Sequence, residues 1–466
     1  MTNRPLVEPH SESLASDDAP SSGPLRLPTS DPGRLSSLIA EFAALSAPGR
    51  GVTRLAYTDR EREAHDKFGA HMKALGLDVW VDSAGNTLAE HSGSVEEYPA
   101  IGTGSHLDSV PGGGRFDGIA GVVAAMEVAR IIVTENLSHR HHLRFVAFAA
   151  EEGARFGQAC IGSRLAAGLL SITQLDAKHD AEGRRLSEAM SSVGVDPHAA
   201  AAQPWDPTDW AAFVELHVEQ GGVLEKTKAA IGIVDLISGS TRLDLNLTGR
   251  ASHTGATPMS LRADALAAAA EIVLATEALA NDARHRGTRA TVGRLVVTPG
   301  SITTIPGHVS MSLDVRDVDS DRQRATASEL LRRAGDICAK RQIDLEASLI
   351  GDSSPVVLPL WLRQFSVDAC KAQDLSYRVM TSGASHDAQA INQIMPASMI
   401  FIPSRDGLSH VPEEWTSSAD LATGTDVLLR ILLRADEELA TRRTRDPGPA
   451  STTDRGGESS WRLTQK

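Results

Sequence analysis

The segment "GSHLDSVPGGGRFDG", Gly104 to Gly118, gathers an imidazole, His106, and two carboxylates, Asp108 and Asp117, around a run of glycines. Groups of these types at this density can bind a divalent cation or carry a proton. Three further stretches hold the same chemistry. "FVAFAAEEGARFG" carries Glu151-Glu152, "FVELHVEQGG" carries Glu215, His217 and Glu219, and "GLSHVPEEW" carries His410. Alone, each has a plainer explanation: a histidine at a strand end is more often hydrogen-bonded structure than a ligand, and paired glutamates there usually face solvent. Together they supply His106, Asp117, Glu152, His217 and His410. Five nitrogen and oxygen donors without a cysteine suit two divalent ions with one bridging carboxylate, and Zn²⁺, Mn²⁺ or Co²⁺ fit such a set better than a soft metal. Asp108, two residues beyond His106, is placed to accept the other imidazole N–H and fix its tautomer. Glu151 is then free to serve as general base and to pass its proton to a leaving amine.

Such side chains must converge, and the carboxyl ends of parallel strands are where α/β proteins bring them together. "HLRFVAFAA" is a mostly apolar run suited to a strand buried on both faces, "LDVWVDSAGN" alternates and ends in a turn, and "RLSSLIAEFAALS" and "EREAHDKFGAHMKALG" repeat apolar residues at helical spacing. In "FVELHVEQGG" alternation sets Glu215, His217 and Glu219 opposite Val214, Leu216 and Val218. "DGIAGVVAAMEVARIIVTE" reads as a helix starting at Asp117-Gly118. The expected fold class is therefore α/β with a largely parallel catalytic sheet. From 239 to 352 the pattern becomes β-α-β-β-α-β, a ferredoxin-like unit inserted between the catalytic segments 34–238 and 353–440.

With 466 residues the chain is long enough for two cores. Apolar residues make up 41 % and charged residues 23 %, as in ordinary globular proteins. A net charge of -14 with no basic stripe disfavours nucleic acid and points to small-molecule partners. Cys160, Cys338 and Cys370 lie far apart, which fits a reducing, cytoplasmic setting and offers no disulfide framework. The N-terminus has no apolar signal-like run, and no stretch approaches the ~20 apolar residues of a membrane span. The Ser-, Pro- and Asp-rich ends, 1–33 and 441–466, are expected to be disordered.

These motifs, with "ELHVEQG", "GRASHTGATPM" and "SHVPEE" in order between about Arg34 and Leu439, resemble the di-metal aminoacylase and carboxypeptidase superfamily. Within it the chain is similar to the amidase branch of N-carbamoyl-L-amino-acid hydrolases, allantoate amidohydrolases and β-ureidopropionases. The resemblance implies that His106 and His217 hold one metal, Glu152 and His410 the other, and that Asp117 bridges them, with Glu151 as base. It implies that the insertion is a lid and dimerisation module, so that a homodimer is expected. It also implies substrate roles for Gln220, for His253 as an oxyanion donor and for Arg316 as a fork for a substrate carboxylate. Two positions depart from the branch: Thr303 in "SITTIPG" stands where Asn is common, and Ser385 in "GASHDA" stands where Gly is common. Both bear on substrate choice. His386 and Asp387 line the same loop without an assigned role.

The implied activity is hydrolysis of a linear C–N bond in an N-carbamoyl or ureido acid, a small carboxylate-bearing molecule, with release of ammonia and CO₂. An N-acyl amino acid amidohydrolase or dipeptidase is the alternative from the same superfamily, and it would release no ammonia. A phosphate-binding glycine loop is disfavoured because "PGGGRFDG" lacks the following Lys-Ser/Thr and carries acidic Asp117. A non-catalytic scaffold is disfavoured because every metal position and Glu151 are present.

Overall fold

A computed structural model describes residues 27–445. Most of the polar ends, 1–26 and 446–466, therefore lies outside the described residues. Where the expectation of disorder reaches described residues, the chain is ordered instead. A helix spans Pro32–Ala43, its first turn set by proline and by the Asp31 side chain, which accepts from the Gly33 and Arg34 N–H groups. Ser30 N–H donates to Asp426 at 2.7 Å, and Leu35, Ile39 and Phe42 are buried. At the other end the helix Ser418–Arg445 runs through position 441.

Nine strands form the large sheet of the described residues. Its centre is Leu143–Phe148, Ala100–His106, Trp210–Val218 and Ala397–Ile402, all parallel. Their burial is nearly complete, as their continuous apolar sequences require. The flanks are not parallel. Asp78–Val81 and Thr87–His91 form an antiparallel hairpin whose turn is fixed by Asp82 accepting from the Ala84 and Asn86 N–H groups. Ile231–Ile237 runs antiparallel to Ala397–Ile402 and pairs with Tyr377–Ser382 and Val356–Val357. The sequence reading missed these strands, since Gly232 and Asp235 interrupt one run and "YRVMTS" lacks a clear period.

The helices Ile119–Thr134 and Ser418–Arg445 pack on the parallel strands. The first is rich in Val, Ile and Ala and buries nearly every side chain, including Val122, Val123, Val128, Ile131 and Ile132. This layer fixes the strand ends from which the functional loops leave.

The second sheet has the order Asp344–Ser353, Gly239–Thr248, His308–Asp317, Arg289–Thr298, all antiparallel. The helices Ala265–Ala280 and Ser320–Lys340 cover one face, over a core of Leu243, Leu245, Leu247, Ile272, Leu279, Val309, Met311, Leu313 and Leu330. The other face is polar, because period-2 alternation turns Arg242, Asp244, Asp314 and Arg316 away from that core. A short ribbon, Ser252–His253 paired with Thr304–Ile305, projects from this unit. Among the described residues no helix is long and apolar enough to cross a membrane.

Candidate metal centre

His106 is the last residue of its strand, and the chain then turns through Asp108 to Asp117 at the start of the buried helix. The turn requires Gly118 at φ 69°, and a Cβ there would lie 2.5 Å from the His106 ring. His217 comes from the end of the neighbouring strand, Glu151-Glu152 from the loop after Leu143–Phe148, and His410 from the loop after Ala397–Ile402. Donor atoms of His106, Asp117 and His217 lie within 4.8 Å of one another, as do those of Asp117, Glu152 and His410. Asp117 belongs to both groups. Its Oδ1 is 3.1 Å from His217 Nε2 and 3.5 Å from His106 Nε2, while its Oδ2 is 3.2 Å from His410 Nε2. His410 Nε2 is 3.5 Å from Glu152 Oε1, a buried oxygen with no hydrogen-bond partner among the described residues.

This donor set fits divalent ions: hard carboxylates and borderline imidazoles converge, and a buried carboxylate oxygen is left unsatisfied by protein. Glu151 stands beside the cluster, its Oε2 3.9 Å from His106 Nε2 and its Oε1 accepting from the Cys160 thiol at 3.0 Å.

The electrostatics follow from the crowding. Burial opposes the charge of Asp117, but His106, His217 and His410 hold its carboxyl well below the usual range. Burial, and then the Asp117 charge, push Glu152 well above its ordinary value. Burial also opposes protonation of His410, yet Asp117 and Glu152 raise it to about 9. The crowded carboxylates thus favour positive partners, protons or divalent cations in their place.

Backbone conformation supports the same location. Ala150, Cys160, Gln220 and His410 all adopt positive φ, between 56° and 61°, although none is glycine. Left-handed backbone at such residues costs free energy and is concentrated at functional sites.

Three carboxylates hold the frame, and of these Glu414 alone was not singled out in the sequence. Glu414, the last residue of "SHVPEE", accepts from the Phe116 and Asp117 N–H groups through Oε1, at 2.8 and 3.0 Å, and its Oε2 is 2.7 Å from Ser409 Oγ. Gly114 must lack a side chain because a Cβ would collide with that carboxyl. Glu215, buried behind His217, accepts from Ser105 Oγ and Ala388 N–H. Asp108 does more than stand beside His106. Its carboxylate accepts the Glu151 and Glu152 N–H groups at 2.8 and 2.9 Å, while His106 Nδ1 lies 3.2 Å from the Asp108 backbone carbonyl and 3.5 Å from its Oδ1. The tight turn after His106 aims the Asp108 side chain at the adjacent strand end, so the backbone carbonyl takes the nearer place beside the imidazole.

Gln220 donates through Nε2 to Asp117 Oδ2 at 2.7 Å, so it touches the shared carboxylate itself. His386 packs edge-on against His217 with ring centroids 4.6 Å apart, and its Nε2 is 2.8 Å from Ser382 Oγ. Asp387 is buried and accepts from Ser163 Oγ.

Three further candidates, His253, Thr303 and Arg316, come from the second unit, and Ser385 from the loop before His386. His253 is exposed on the ribbon, and its Nδ1 accepts from the Gly255 and Ala256 N–H groups at 3.0 and 3.1 Å. Thr303 is exposed beside it, its carbonyl accepting from Thr254 N–H. Arg316 is half-buried and donates through Nη1 to the Gly383 carbonyl at 3.0 Å. Ser385 lines a small polar cavity with Cys160, Arg164, Arg242 and Gln389.

The model of the peptidase family M20/M25/M40 matches residues 102–434. An N-carbamoyl-L-amino-acid amidohydrolase of Paenarthrobacter aurescens is 39 % identical over 403 residues, 86 % of this chain and 98 % of that protein. An allantoate amidohydrolase of Escherichia coli is 34 % identical over 389 residues, covering 83 % and 93 %. The crystal structure of an amidase of the hydantoinase/carbamoylase family from Burkholderia vietnamiensis superposes with a TM-score of 0.81 at 32 % identity, covering 87 % of this chain and 98 % of that one.

Proposed function

Because this chain belongs to the peptidase M20/M25/M40 family, and within it groups with the carbamoyl- and allantoate-cleaving amidohydrolases, we propose that it is a metal-dependent hydrolase of linear amide C–N bonds in N-carbamoyl or ureido acids. The observation that carries this reading is Asp117, one carboxylate shared between the His106/His217 group and the Glu152/His410 group at the ends of parallel strands. In this reading those five residues hold two divalent ions, Zn²⁺, Mn²⁺ or Co²⁺. Bound there, the ions supply Lewis-acid polarisation of the carbonyl and water of lowered pKa.

The chain's own residues do the rest. Glu151 takes the proton of the attacking water and delivers it to the departing nitrogen. Asp108 and Glu414 orient the site by accepting backbone N–H groups of Glu151, Glu152, Phe116 and Asp117. Gln220 braces Asp117 and faces the substrate. His253 Nδ1 is already an acceptor, so its neutral ring carries the proton on Nε2, the form that can donate to an oxyanion. Arg316 offers a planar fork to a substrate carboxylate. Thr303, beside His253, and Ser385, in the loop that Arg316 touches, tune substrate choice. Water adds to the carbamoyl carbon, the C–N bond to the amino acid breaks, and the carbamate released falls to ammonia and CO₂.

Residues 34–238 and 353–440 would form the catalytic domain, and 239–352 the ferredoxin-like lid and dimerisation domain. Support for a homodimer is the unpaired edge strand Arg289–Thr298, with Leu295 and Val296 exposed, beside Leu274 of the neighbouring helix, 64 % exposed. Three free, buried cysteines are in keeping with a cytoplasmic setting.

The test is ammonia release by protein stripped of metal and reconstituted with Mn²⁺, Zn²⁺ or Co²⁺, over N-carbamoyl-L-amino acids, allantoate, ureidoglycolate and β-ureidopropionate. Metal-dependent ammonia supports the reading. Release of acid and amine without ammonia from N-acyl amino acids would replace it.

A further inference from the structure

Arg316 does not stand alone. The strand register places Arg289 directly opposite it across Arg289–Thr298 and His308–Asp317, so both side chains leave the same polar face of the second sheet. Like charges directly opposite on adjacent strands are destabilising, and a local rule broken in this way needs a compensating gain. Both guanidinium groups reach one residue of the catalytic unit. Arg316 Nη1 donates to the Gly383 carbonyl, while a Cβ added to Gly383 would collide with Arg289 Nη1 and lie 3.1 Å from its Cζ. Gly383 opens the loop that continues through Ser385 to His386, whose ring packs on His217. The two arginines therefore face the loop that borders the metal centre.

Their charges are not balanced. Asp314 Oδ2 accepts from Arg316 Nε at 3.0 Å and is also 3.7 Å from Arg242 Nε. One carboxylate thus serves two guanidinium groups, and among the described residues none pairs with the guanidinium of Arg289. Arg242 and Arg316 thus share Asp314 at this boundary between the two units, and Arg289 adds a third guanidinium. An anion supplied by the substrate would complete the balance.

We propose that Arg289 and Arg316 form a two-guanidinium cradle that selects N-carbamoyl or ureido substrates bearing two carboxylates. The inference rests on the carbamoyl reading above and narrows it: one carboxylate engages Arg316, and the second, on the substrate side chain, engages Arg289. Arg289 is a specificity-determining residue in this account.

The experiment compares N-carbamoyl-L-aspartate and N-carbamoyl-L-glutamate with the isosteric N-carbamoyl-L-asparagine and N-carbamoyl-L-glutamine, measured as kcat/KM for ammonia release by the metal-reconstituted full chain. The dicarboxylates should be preferred by on the order of 100-fold, since a site built for an ionic hydrogen bond rejects the analogue lacking it. In Arg289→Ala that ratio should collapse toward one, and Arg289→Lys should keep part of it; thermal unfolding of each variant establishes that it is folded. Ammonia from the panel with no dicarboxylate preference, or a preference that survives in Arg289→Ala, overturns the inference and leaves the carbamoyl reading standing. No ammonia from any of the four, nor from the simpler N-carbamoyl amino acids, removes both.

Discussion

The two sheets hold their functional residues in opposite ways. At the ends of the parallel strands the supporting carboxylates are fixed by groups behind them: Asp108 by the N–H groups of Glu151 and Glu152, Glu414 by those of Phe116 and Asp117, and Glu215 by Ser105 and Ala388. On the inserted unit, His253 and Thr303 sit exposed on a two-residue ribbon whose hydrogen bonds are almost all internal. The difference separates two tasks. In the proposed reading a pair of cations needs donors preorganised before they arrive, whereas groups that would meet only the substrate need no such fixed frame.

The comparison can be broken at its strongest point first. Asp117→Ala removes the carboxylate common to both donor groups and should abolish metal-dependent turnover, with metal retention after dialysis falling below one ion per chain by mass spectrometry. Retention of two ions would show that the strand-end cluster is not what holds them. Glu151→Gln should keep both ions and lower kcat by about 10³-fold, within the range for a lost general base. Normal turnover would mean that another group moves the proton. On the other unit, His253→Ala should lower kcat by about 10²-fold with metal content and melting temperature unchanged. A matching loss of metal would mean that the two regions are not independent in the way described. Glu414→Gln weakens only the support behind Asp117, and should reduce metal affinity by about 10-fold in a competition assay with a chelator.

The smallest effect concerns stability. Burial, and then the charge of Asp108, raise Glu61 to about 8, well above its value in an unfolded chain. The native state therefore binds a proton that the unfolded state releases between about pH 4 and pH 8, and stability is lost as pH rises through that window. Glu61→Gln does not titrate, so its melting temperature relative to the unaltered protein should rise from pH 5 to pH 8. A constant difference would place Glu61 outside this balance.

The motifs made the strand-end cluster legible because the relevant residues lie at or just beyond the ends of apolar runs: His106 ends its strand, His217 is the last but one of its own, and Glu151-Glu152 follow the next one closely. The supporting carboxylates were less legible. Glu414 reaches Asp117 across 297 positions, and nothing in local spacing tells that a glutamate will accept a distant backbone N–H. The sequence pattern changes near 239, where the second sheet begins at Gly239, but on the far flank of the large sheet Ile231–Ile237 was not legible, since it is broken by polar and glycine residues and gains its place through Tyr377–Ser382 and Ala397–Ile402, both distant in sequence. Arg289 carries no motif that would single it out in the sequence. Its meaning appears only when the register sets it opposite Arg316.

In the proposed reading Asp117 is shared by two ions. The direct measurement is anomalous diffraction at the zinc edge from crystals of the Zn²⁺-reconstituted protein. Two peaks per chain are expected, one beside His106 and His217 and one beside Glu152 and His410, with Asp117 between them. A single peak, or peaks remote from Asp117, would contradict it.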